Sequence, residues 1–143
     1  MRRLLLFVIA IILMFPITSV AGIWYVMPDS TGEVINIQAG IDSCLVGDTV
    51  LVAPGIFRGD GNRDLDFKGK TIVVLSECRY DTTVTDSTVI NCEGSCTDRH
   101  RGFYFHSGET SESILEGFVI INGYWSESCH DCSVSDLMGQ IYF

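Results

Sequence analysis

Basic residues are scarce in this chain: nine Lys and Arg stand against eighteen Asp and Glu in 143 residues, a formal charge of −9. That balance argues against nucleic acid as a partner, because its phosphates are held mainly by cationic side chains. Long apolar runs are scarce too. The one present, Leu4 to Phe15, is followed at once by Pro16 and falls short of the roughly 20 residues that span a bilayer. Catalytic signatures are lacking. Ser107 sits in His106-Ser107-Gly108-Glu109, not in a G-x-S-x-G elbow. Glu109, Glu112 and Glu116 have no spacing that forces two carboxylates together for glycoside hydrolysis. Ser133, not histidine, follows the C-x-x-C pair Cys129/Cys132, which argues against haem attachment. Helical periodicity is confined to one short segment.

What is present begins with a three-part export signal: Arg2 and Arg3, the apolar run, and the small-x-small site Ser19-Val20-Ala21. Cleavage after Ala21 is expected, with an uncleaved anchor as the alternative. Loss of Arg2 and Arg3 leaves seven basic residues against eighteen acidic ones, a formal charge of −11, and no transmembrane helix. The product is expected outside the cell or on its surface, where carboxylates serve solubility and can hold calcium. Residues 22–143 suffice for one small domain and are few for an enzyme built by stacking. Cys44, Cys78, Cys92, Cys96, Cys129 and Cys132 all follow the signal, so disulfides are expected, with pairing undetermined by spacing. The close pairs Cys92/Cys96 and Cys129/Cys132 leave a four-thiolate zinc site as the alternative.

Along the chain, Ile23 to Val26 is a short β-prone run ended by the turn cluster Pro28 to Gly32. Ile37, Ile41, Cys44 and Leu45 then share one helical face, with Asn36 as N-cap and Gly47 just past the end. Such a short helix must pack on something to persist. Only β-runs follow: Thr49 to Ala53, Leu65 to Phe67, Thr71 to Leu75, Thr88 to Ile90, Phe103 to Phe105 and Phe118 to Ile121. The apolar continuity of Thr49 to Ala53 and Phe118 to Ile121 suits strands buried on both faces or in a parallel stack. The intervals are too short for helical crossovers. An antiparallel sandwich and a parallel β-helix both fit. A single initial helix favours the second, because an open stack needs an atypical terminal cap.

Asp29-Ser30-Thr31-Gly32, Ile37-Gln38-Ala39-Gly40-Ile41-Asp42 and Gly47-Asp48-Thr49-Val50-Leu51-Val52-Ala53-Pro54-Gly55-Ile56-Phe57 resemble the amino-terminal cap and first coil of pectin-lyase-like proteins. Gly69-Lys70-Thr71-Ile72-Val73-Val74-Leu75-Ser76 and Gly117-Phe118-Val119-Ile120-Ile121-Asn122-Gly123 are similar to later rungs of exported bacterial β-helix proteins. The resemblance implies an all-β fold, a right-handed parallel β-helix (solenoid) with a short capping α-helix. Its cap and first coils would occupy 22–124, after the signal at 1–21. The tail 125–143 departs from the pattern and ends on the strand-like Gln140-Ile141-Tyr142-Phe143, so the stack is expected to be incomplete there and the chain a fragment of a longer protein. Such scaffolds host many functions. The expectation is a module that binds polysaccharide or a cell-surface protein. One alternative is the start of a pectate lyase or pectin esterase relative whose site lies downstream; another is a small disulfide-stapled interaction domain. No catalytic residue carries over.

Two clusters carry possible chemistry. Asp60, Asn62, Asp64 and Asp66 begin like a calcium loop, although Leu65 replaces the glycine and no glutamate closes it. The alternative is a polar turn entering a strand, with Leu65 and Phe67 inward and the acids outward. Asp98, Arg99, His100, Arg101 and His106 flank Phe103-Tyr104-Phe105, where a strand would put Tyr104 and His106 on one face and both Phe rings on the other. These groups suit contact with a sugar or general base catalysis, against a solvent-exposed turn as the alternative. Asn122 before Gly123 suits a left-handed bend and stacking on a counterpart in the neighbouring coil.

Overall fold

The computed structural model describes residues 20–79 and 88–124. The expected signal up to residue 19, the atypical tail, Cys129 and Cys132 lie outside the described residues. Strands β1 (Ile23–Val26), β2 (Thr49–Val52), β3 (Gly55–Arg58), β4 (Val73–Ser76), β5 (Thr88–Asn91), β6 (Ile114–Glu116) and β7 (Phe118–Ile121) accompany one helix, α1 (Ile37–Ser43). The first sheet has the order β1-β2-β4-β6 and the second β3-β5-β7. Every pairing within them is parallel. This removes the antiparallel sandwich as an alternative. The all-β expectation with one short helix holds, and among the described residues no helix is long and apolar enough to cross a membrane.

The registers place like on like. Trp24, Val50, Val74 and Leu115 follow one another across the first sheet, and Phe57, Ile90 and Ile120 across the second. Alternation along each strand turns these side chains inward. Val26, Val50, Val52, Val74 and Ile90 are completely buried, whereas Leu115, Phe118 and Ile120 in the last layer are only partly so. Parallel strands need long connections. Here the chain visits the second sheet between β2 and β4, and again between β4 and β6.

Leu65 to Phe67 and Phe103 to Phe105, both expected as strands, lie side by side and form a single parallel bridge, Leu65 to Phe103, in place of two strands. The reason is local: Asp64 (φ 51°) and Lys68 (φ 55°) are left-handed and bound the extended stretch. Its apolar side still packs inward. The Phe67 ring lies 5.0 Å from Phe105 and 6.2 Å from Phe103, which in turn meets Phe118 at 5.8 Å.

Helix α1 begins as its sequence indicates, with the Asn36 side chain accepting a hydrogen bond from the Ala39 N–H at 2.8 Å. Ile37, Gly40 and Ile41 are buried. A Cβ on Gly40 would stand 2.9 Å from Val50 Cγ1, so glycine lets the helix lie directly on β2. The helix is shorter than its pattern suggests. Cys44 is extended (φ −64°, ψ 139°), so Leu45 swings out of the predicted apolar face and is 68% exposed. The stop is reinforced from far along the chain: Lys70 Nζ donates to the carbonyls of Ile41, Asp42 and Cys44 at 2.8 to 2.9 Å.

Candidate functional site

On the side between the second sheet and the return to the first, alternation around Leu65 and Phe67 projects Asp64 and Asp66 outward. The neighbouring segment does the same with Tyr104 and His106 while Phe103 and Phe105 pack against the core. Backbone bonds hold the two segments together: Asp64 N donates to Arg101 O, Leu65 N to Gly102 O and Tyr104 N to Leu65 O, at 2.7 to 2.9 Å. The sequence-level placement of both outward and inward groups is what the structure has.

Three planar groups form a column above this pair. The Arg101 guanidinium carbon lies 3.8 Å from the Tyr104 ring centre, and the His106 ring is stacked on Tyr104 at 3.8 Å with a 14° tilt. Asp64 and Asp66 line their base. Asp64 accepts from the Arg101 N–H at 3.0 Å, and Asp66 accepts from Ser107 Oγ at 3.2 Å and from the Lys68 N–H at 2.7 Å. Beyond the column, Glu109 grips the Gly69 and Ser107 N–H groups, each at 2.9 Å. Burial works against its charge, but these hydrogen bonds outweigh it and lower its pKa.

The arrangement bears on the chemistry. His100 Nδ1 contacts Asp64 and its Nε2 lies 3.2 Å from Asp98, so both ring nitrogens are engaged and neither is open to a ligand. Ser107 directs its hydroxyl to the Asp66 carboxylate instead of an imidazole. The strip presents polar edges on an exposed face, with Tyr104 40% exposed. Arg99 is the member of the predicted cluster that the geometry leaves outside this contact set.

The expected calcium set does not converge. Asp60 pairs with Arg63 at 3.1 Å, Asn62 Oδ1 accepts from the Ile37 N–H, and Asp64 and Asp66 serve the strip. The left-handed turns at Gly59, Gly61 and Asp64 break the extended alternation and point the four groups to different neighbours. Among the described residues no three His, Cys, Asp or Glu side chains could hold a metal together.

Among the disulfide candidates, Cys44 and Cys92 are unbridged in the structure and 2% and 0% exposed. Desolvation chiefly, aided by Asp48 at the first and Asp64 at the second, pushes both thiols up to about 11. They are core residues in a small-hydrophobe role. Asn122 is left-handed (φ 54°) and donates from Nδ2 to Asn91 Oδ1 at 2.9 Å, the inter-layer asparagine contact expected of it.

Sequence reading missed Ser107 as an Asp66 partner and Gln38 as a clip, whose amide pairs with both the N–H and C=O of Asp66 at 3.0 Å. Only the relative register of distant segments carries that information. Comparisons with protein-family models, curated proteins and solved structures find no match.

Proposed function

We propose that the chain is an exported right-handed parallel β-helix module of the pectin-lyase-like kind that binds polysaccharide along the strip from Asp64 to His106. Two parallel sheets visited in turn, with a helix laid on the first strands, support the solenoid reading. Right-handedness follows the strong general preference of parallel crossovers. The observation that carries the binding reading is the Arg101, Tyr104 and His106 column over Asp64 and Asp66. Guanidinium, phenol and imidazole edges offer donors, and the carboxylates acceptors, in a row matched to sugar hydroxyls. Tyr104 is 40% exposed, so its edge is accessible.

Affinity electrophoresis through gels containing polygalacturonate or neutral polysaccharides, with and without calcium, tests the reading. One polysaccharide is expected to retard the protein, with Tyr104→Ala and His106→Ala each weakening retention about tenfold, roughly 1.4 kcal/mol. Absence of retardation by all of them, or retention unchanged in both variants with circular dichroism preserved, would overturn it.

A further inference from the structure

At a different corner, at the ends of three strands of the first sheet, the residues just past β1, β2 and β4 are Met27, Ala53 and Glu77, side by side in that order. The backbone fixes this stacking: Ala53 N donates to Val26 O at 3.0 Å and Glu77 N to Val52 O at 2.9 Å. Because alanine occupies the middle layer, a hollow remains between Met27 and Glu77. Its volume is about 390 Å³, and Tyr25, Pro28, Asp29 and Pro54 complete its lining. Tyr25 and Glu77 both line it, and attraction of the phenol proton to the Glu77 carboxylate, with burial and the carboxylate's charge, raises the phenol's pKa.

We infer that this groove receives a lysine or arginine side chain of a partner protein. Its charged groups are the carboxylates of Asp29 and Glu77, and no cationic residue lines it. Asp29 is held ionised by the Thr31 side chain at 2.6 Å and the Thr31 N–H at 3.1 Å. The remaining surface, from Met27, Pro28, Ala53 and Pro54, suits the methylene stem of such a side chain, and the Tyr25 ring suits its cationic head. A chain of formal charge −9 draws cations toward the groove from a distance. An acidic glycan is repelled by the same carboxylates, so the groove complements the strip instead of duplicating it.

Methyl-¹³C methionine spectra read the groove through Met27, assigned by the peak missing in Met27→Leu. Titration with tetralysine is expected to shift this methyl saturably, with affinity falling at least tenfold in Glu77→Gln and in Asp29→Asn. Glu112→Gln, which removes a carboxylate elsewhere, changes affinity less than twofold, and tetraglutamate shifts nothing. The inference is overturned if tetralysine leaves Met27 unmoved, if all three variants bind alike, or if cellotetraose produces the shift in place of tetralysine.

Discussion

Lys70 reaches across the fold to satisfy three carbonyls at the end of α1, a place where the helix itself has no basic residue. Replacing it with methionine keeps the stem but removes charge-assisted hydrogen bonds, each worth roughly 1.5–3 kcal/mol. Partial replacement by water reduces the loss. Lys70→Met is expected to destabilise the protein by about 2 kcal/mol, read as a lower urea midpoint at unchanged m-value. Asp48 performs a related service. Its carboxylate accepts from Leu45 N at 2.8 Å and Gly22 N at 2.6 Å, and these bonds, the Leu45 one first, lower its pKa. A depressed carboxylate contributes stability that is fully present above its unfolded value, about 3.9, and lost as pH falls through the lower folded value. Acid unfolding followed by circular dichroism should therefore steepen below about pH 4, and Asp48→Asn should flatten that limb. Asn36 and Asn122 were legible in the sequence because their partners or conformations are local or nearly so. Lys70 and Asp48 were not, since most of their partners lie more than twenty residues away.

Among the elements, β4 and β5 belong to different sheets yet share a buried hydroxyl pair: Ser76 Oγ lies 2.9 Å from Thr88 Oγ1, which donates to Ala53 O at 3.1 Å. Thr88→Val strands the partners of that hydroxyl in the core and should cost about 1–3 kcal/mol. The double variant Ser76→Ala/Thr88→Val should cost less than the sum of the singles, a coupling that chemical denaturation of all four proteins measures. Additive losses would show the pair to be energetically independent. The strands at Ile23, Val73 and Thr88 were readable as short β-prone runs, and those at Thr49 and Phe118 also from their apolar continuity. β3 was hidden because Pro54-Gly55 reads as a turn, whereas Gly55 (φ 140°) starts a strand in a conformation open to glycine alone and fits tightly against Pro28. β6, three residues long, is too brief for a period to appear. The helix was found but drawn too long, since nothing local to Cys44 announces its extended conformation.

For the molecule as a whole, burial declines from the interior layers to the last. Val50, Val52 and Val74 are fully buried, while Ile114, Val119 and Ile121 on the last strands are 36–45% exposed and their inward neighbours only partly covered. Hydrogen exchange read by mass spectrometry should show peptides over 49–52 and 73–76 protected longest and those over 114–121 exchanging first. Uniform exchange would contradict this gradient. The architecture was legible in outline from one helix followed by strands, and the strip from alternation around Phe103. What brings Asp64 to His100, or Tyr25 to Glu77, is the vertical alignment of segments far apart in sequence, which no single-chain pattern spells out.

The return from Val73 to Ile114 uses far more chain than that from Thr49 to Val73, yet Val50, Val74 and Leu115 arrive on the same inward line. Spatial address in this protein is thus independent of sequence distance: loops set their own length while each strand docks at a fixed position. A longer loop between two strands is therefore compatible with an unchanged inward line of core residues.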